Sequence, residues 1–113
     1  KIYTIIGCGG NRDKTKRKDM GSLSTKLSDY VIFTNDNPRN EEPEDIIDDI
    51  TCGLENSNYE IILDRKEAIK KGLDMLNKDD ILMILGKGHE NYQIINGVKY
   101  HFSDREEVLK YIK

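Results

Sequence analysis

A chain of 113 residues with 36% apolar side chains is large enough for one packed domain and too short for the several domains of a complete multi-substrate enzyme. Charged residues make up 35% of it but the net charge is only −3, a surface of mixed sign that argues against nucleic acid or an anionic membrane as partner. The longest apolar runs, IYTII, IIL and ILMIL, fall far below a membrane span. There is no signal-peptide pattern, and Cys8 and Cys52 stand apart in no CxxC spacing, so a soluble, cytoplasmic chain with two free thiols is expected.

Strand and helix patterns alternate along the chain. Ile2 to Ile6 reads as a buried strand, and the loop from Gly7 to about Lys18 leads into a helix whose apolar face is Met20, Leu23 and Leu27. Tyr30 to Thr34 is a second strand. The loop NDNPRNEEP follows it, and Pro43 with Glu44 and Asp45 suits the first turn of a second helix. Tyr59 to Leu63 is a third strand. Asp64 and Glu67 have the spacing of a capping box for a helix carrying Ala68, Ile69, Leu73 and Leu76. Asp80 to Leu85 is a fourth strand, ending in GKGHE. The segments YQIING and VKYHF then flank a glycine turn as a hairpin would, and Ser103 and Glu106 cap a last helix.

Continuous apolar strands alternating with amphipathic helices predict a three-layer α/β domain, its mostly parallel sheet covered on both faces, with an antiparallel addition at its C-terminal end. A strand that begins at the second residue, with no preceding loop, is what a domain cut from a longer chain looks like. In such sheets ligands bind outside the carboxyl ends of the strands. Here those ends carry GCGGNRDK, NDNPRNEE and GKGHENY, which concentrate the glycines and both signs of charge.

Each loop has a limited meaning by itself. In the first, Arg12 occupies the third-glycine place of GxGxxG, and no GxxxxGK[ST] is present, so neither a standard dinucleotide site nor a P-loop is indicated. A flexible turn with a solvated Arg-Asp-Lys run fits the pattern as well. In the second, Pro38 restricts Asn37 to extended backbone, and the resulting stiff loop presents the Arg39 guanidinium, whose fork matches a carboxylate. A turn with an exposed arginine is the plainer alternative. In the third, glycines beside Lys87, His89 and Glu90 let a ligand approach the backbone, and a carboxylate there can hold an ammonium group. Gln93 stands where HExxH needs its second histidine, which argues against zinc. Neither cysteine has a basic helper at a telling spacing, and no residue is an evident nucleophile or general base.

Taken together in order, GCGGNRDKTKR, SDYVIFTNDNPR, EEPEDIIDDI, the DR of Asp64-Arg65, GKGHENYQ and the late FSDRE resemble the carboxyl-terminal domain of the Mur ligases, in particular those that add diaminopimelate. The resemblance runs from Ile5 to about Glu107. It implies a Rossmann-like α/β domain, residues 1–113 forming this unit alone, with the amino-terminal UDP-binding and central ATP-binding domains outside the chain. It also implies cytoplasmic, ATP-dependent peptide-bond synthesis in peptidoglycan assembly. The D-glutamate carboxyl of UDP-MurNAc-L-Ala-D-Glu is phosphorylated, and an amine of meso-diaminopimelate attacks the acyl phosphate. By the same resemblance, Arg12, Asp36, Asn37, Pro38, Arg39, Gly86 and Glu90 match positions that hold diaminopimelate, and Asp13 and Lys14 lie toward the nucleotide. ATP and Mg2+ are then held mainly by the central domain. The lysine after the family's KR, in place of its common proline, leaves the start of the first helix open. A stand-alone nucleotide- or amino-acid-binding module is the competing expectation.

Overall fold

The computed structural model of the chain describes residues 1–9, 15–86, 92–95 and 98–111. Four short apolar segments, β1 (Ile2–Ile6), β2 (Tyr30–Phe33), β3 (Tyr59–Ile61) and β4 (Ile81–Leu85), pair in parallel in the order β3-β2-β1-β4. Ile5 lies beside Ile32 and Ile84, and Ile6 beside Phe33 and Leu85. Because side chains alternate along a strand, Ile5 and Ile6 enter opposite layers. On one side Ile6, Val31 and Phe33 meet Ile46, Ile47 and Ile50 of α2 (Pro43–Thr51). On the other, Ile5 and Ile32 meet Ala68 and Ile69 of α3 (Arg65–Met75), with Val108 of α4 (Asp104–Tyr111) packed alongside. These are the three layers that the strand and helix patterns predict.

The helix ends follow local chemistry. Pro43 opens α2, where its missing N–H costs no helical bond. The Asp64 carboxylate caps α3 by accepting the Lys66 N–H at 3.0 Å, and the Ser103 hydroxyl accepts the Glu106 N–H at 3.3 Å at the start of α4. The expected hairpin is present as β5 (Tyr92–Ile95) and β6 (Val98–His101), antiparallel and forming a sheet of their own.

Two expectations are corrected. The first helix, α1 (Thr15–Leu27), begins before Lys18, and only part of its expected apolar face packs: Met20 lies against the α2 layer, but Leu23 and Leu27 are 57% and 76% exposed, whereas Arg17, Gly21 and Thr25 are buried. The reason is the closeness of α1 to α2. A Cβ on Gly21 would lie 2.1 Å from the Ile50 carbonyl oxygen, so the two backbones meet where a larger side chain cannot stand. Nor are both faces of the sheet covered throughout. Leu82 and Ile84 of β4 pack with the α3 layer, but Ile81, Met83 and Leu85 on the opposite side are exposed, since α1 stops short of them. A groove of about 300 Å³ separates Leu27 of α1 from Met83 and Leu85. No helix among the described residues is long and apolar enough to cross a membrane.

Candidate functional site

The chain winds outward from β1 to β2 to β3, then returns through α3 to β4 on the other flank of β1. The winding reverses at β1, and a crevice opens at the carboxyl ends of β1 and β4, where open α/β sheets bind ligands. The two loops that leave these strands touch. Gly86 has φ of 108°, and a Cβ there would lie 2.7 Å from the Gly7 carbonyl oxygen, so only glycine serves the backbone angle and the close approach together.

The loop after β2 is held from outside the main sheet. Asp36, Asn37 and Pro38 are buried. The Asn37 Oδ1 accepts the Ile94 N–H at 2.9 Å, the Arg39 N–H donates to the Ile94 carbonyl at 2.8 Å, and Gln93 Nε2 donates to the Asp36 carbonyl at 2.8 Å. The terminal hairpin thus serves as a splint for this loop, and Asn37 and Pro38 shape it from within. Arg39 is half-buried at the end of the splinted stretch with φ of 54°, a left-handed conformation that costs a non-glycine residue roughly 1–2 kcal/mol. Its Nη1 donates to the Asn37 carbonyl at 3.3 Å. Strain of this kind persists where surrounding structure over-determines it, and it concentrates at ligand-binding positions.

These loops enclose a cleft of about 450 Å³, lined by Gly7, Cys8, Gly9, Lys16, Met20, Asp36 and Gly86, with Arg17 in its wall. Asp36 and Gly86, singled out from sequence, are brought together here. Arg12, Asp13, Lys14 and Glu90 lie outside the described residues, as do Lys87 and His89.

Sequence reasoning missed Arg17. Its guanidinium is buried, takes both oxygens of Glu41 at 3.2 and 2.8 Å, reaches Asp49 at 2.8 Å and donates to the Gly9 carbonyl at 3.0 Å. The Glu41 hydrogen bonds, with Asp49 adding to them, push its pKa further up, so it stays charged. It therefore fastens the glycine loop to the segment just beyond Arg39. Cys8 lines the same cleft, but burial pushes its thiol pKa up and outweighs the nearby Arg17 charge. Its Sγ donates to Met20 Sδ at 3.4 Å, the behaviour of a packed thiol rather than a nucleophile. Both cysteines are free, as expected.

An open parallel sheet in three layers, with glycine-bearing loops meeting at its topological switch, defines a Rossmann-like α/β domain. Residues 1–88 match the family profile described as "Mur ligase, glutamate ligase domain". Two UDP-N-acetylmuramoyl-L-alanyl-D-glutamate--2,6-diaminopimelate ligases of Clostridium acetobutylicum are 51% identical to the chain over 113 residues and 58% over 110. The ligase of the same name from Rickettsia bellii is 57% identical over 106 residues. These alignments take in 100%, 96% and 94% of this chain but only 23%, 23% and 22% of the relatives. A solved structure of a ligase with that name superimposes with a TM-score of 0.92 at 44% identity, covering 96% of this chain and 23% of the other. The chain belongs to the Mur ligase family and spans about a quarter of the length of the relatives it matches.

Proposed function

We propose that the chain is the amino-acid-binding, carboxyl-terminal domain of a longer ATP-dependent ligase that joins meso-diaminopimelate to UDP-MurNAc-L-Ala-D-Glu in peptidoglycan synthesis. The observation that carries this reading is the DNPR loop, splinted by β5 and holding Arg39 in a left-handed conformation three residues after Asp36, in a chain about half identical to proteins named for that reaction. The stand-alone module is disfavoured by the 23% coverage of those relatives.

Diaminopimelate carries two ammonium and two carboxylate groups, so its non-reacting end calls for partners of both signs. In this reading Arg39 and Arg12 hold the distal carboxylate, Glu90 and Asp36 face an ammonium group, and Gly86 leaves room for the substrate against the backbone. Asn37 and Pro38 hold the loop to shape, and Asp13 and Lys14 lie toward ATP. The domain's contribution is to place the attacking amine, which by itself is a large part of the rate enhancement available to a bimolecular step. Among the described residues no group of acidic, histidine or cysteine side chains is arranged to hold a metal ion. In this reading ATP with its metal is held chiefly by parts of the ligase outside this chain.

Lysine is diaminopimelate without the distal carboxylate, which supplies the test. Where a site is built to hydrogen-bond a group, an analogue lacking it is rejected by roughly 10⁴–10⁵. Arg39→Ala in the full-length ligase is expected to lower kcat/KM steeply for diaminopimelate and little for lysine, so that the ratio between them collapses. An equal fall for both substrates in a folded variant removes Arg39 from substrate recognition and this reading with it.

A further inference from the structure

A second buried arginine stands behind the site. Arg65, the first residue of α3, is 1% exposed. Its Nε and Nη2 donate to the two oxygens of Asp104, each at 2.7 Å. Nη1 donates to the Asn35 carbonyl at 2.8 Å, and Nη2 also reaches the Leu85 carbonyl at 3.3 Å. Asn35 immediately precedes Asp36, and Leu85 immediately precedes Gly86. One rigid planar group therefore bridges the ends of β2 and β4, two strands that do not touch because β1 lies between them.

Stability is a poor explanation for this arrangement. A buried ion pair is often no better than well-packed apolar residues of similar volume, since desolvating both charges cancels much of their attraction. Geometry is a better one. A guanidinium offers five N–H donors in a fixed fork, whereas an ammonium is a point charge with three rotating donors and cannot span four separated acceptors. Asp104 comes from the first turn of α4, 39 residues along the chain, so the last helix is tied to the same spacing. Arg17 performs a similar task for the Gly9 and Glu41 segments, whereas the Arg65 side chain donates to backbone carbonyls on both sides of the topological switch.

We propose that Arg65, oriented by Asp104, is a positioning residue: it sets the distance between the Asp36–Arg39 loop and the Gly86 loop, and through that distance the fit of the amino-acid substrate. The proposal rests on the assignment of these loops to diaminopimelate. Arg65 touches no substrate in this account; it acts through the two carbonyls that anchor the binding loops.

The test uses the full-length ligase, with diaminopimelate and ATP varied separately and thermal unfolding followed in parallel. Arg65→Lys keeps the charge and loses the fork. Misplacement of a binding group by about 1 Å can cost a hundredfold in rate, so a rise of about tenfold or more in KM for diaminopimelate is expected, with KM for ATP changed less than about twofold. The double variant Arg65→Met/Asp104→Leu removes the pair without leaving a lone buried charge. It is expected to keep a cooperative melt and still show the raised KM for diaminopimelate, which a merely structural role would not produce. Asp104→Asn, which leaves the arginine's two backbone bonds in place, is expected to shift the same KM in the same direction by less, and it decides the matter if the other variants do not fold. Wild-type KM for diaminopimelate in any folded Arg65 variant overturns the positioning role alone. Absence of diaminopimelate-dependent turnover in the wild-type ligase overturns the functional reading and this inference together.

Discussion

The left-handed backbone of Arg39 gives a prediction in which the sign of the effect is diagnostic. Arg39→Gly and Arg39→Ala both delete the guanidinium and its 3.3 Å bond to the Asn37 carbonyl, so these losses cancel when the variants are compared. What remains is the backbone at φ of 54°. There alanine bears a steric cost of roughly 1–2 kcal/mol that glycine escapes. Against this, glycine loses about 0.4–1 kcal/mol more through the greater freedom of its unfolded chain. The balance favours glycine by about 0.5–1 kcal/mol, whereas at a residue of negative φ the same comparison favours alanine by about 0.4–1 kcal/mol. Urea denaturation of the 113-residue chain carrying each variant measures the difference. With a slope of about 2 kcal/mol per molar, the glycine variant is expected to unfold at a midpoint about 0.3–0.5 M higher. Alanine equal to or above glycine refutes the strained conformation, and with it the argument that the hairpin holds Arg39 in a posture it would not adopt alone. In the full-length ligase the two variants are expected to lose selectivity equally, because that loss belongs to the side chain and not to the backbone.

Gly21→Ala is expected to destabilise the chain by about 1–3 kcal/mol or more, the cost of forcing a methyl into a filled contact, despite alanine's helical preference of about 1 kcal/mol. A rise in the urea midpoint shows instead that α1 and α2 do not meet at Gly21. Cys8 is expected to react several-fold more slowly with iodoacetamide at neutral pH than exposed Cys52, since burial both shields its sulfur and raises its thiol pKa. Because a raised pKa lowers the thiolate fraction below that pKa, Cys8 labelling followed by mass spectrometry should accelerate as pH increases. Comparable rates at the two cysteines at neutral pH overturn the packed-thiol reading.

The order of strands and helices, the caps at Asp64 and Ser103, the hairpin and the DNPR loop were all legible in the sequence, because each rests on residues close together in the chain. Alternation of apolar runs sets strand and helix, proline and glycine set turns, and a short polar side chain before a helix meets N–H groups one turn away. What the sequence left unread depends on distant partners. A lone arginine in a sequence reads as a solvated charge. Arg17 is buried because Glu41 and Asp49 arrive from 24 and 32 residues away, and Arg65 because Asp104 arrives from 39. The apolar spacing of α1 pointed to Met20, Leu23 and Leu27, but closeness of approach to Ile50 turned the Gly21 side inward, keeping Met20 against the core and leaving both leucines exposed, and that distance is a property of two packed helices rather than of either one. Strands are recognisable one at a time, whereas the reversal of winding at β1, which brings Gly7 against Gly86 and opens the cleft, exists only after four segments have taken their places in one sheet. Local propensity thus determined the elements and the candidate loops, and long-range packing decided which faces are buried and how the loops are braced, because burying a charge or bringing two backbones into contact requires groups that only the completed fold supplies.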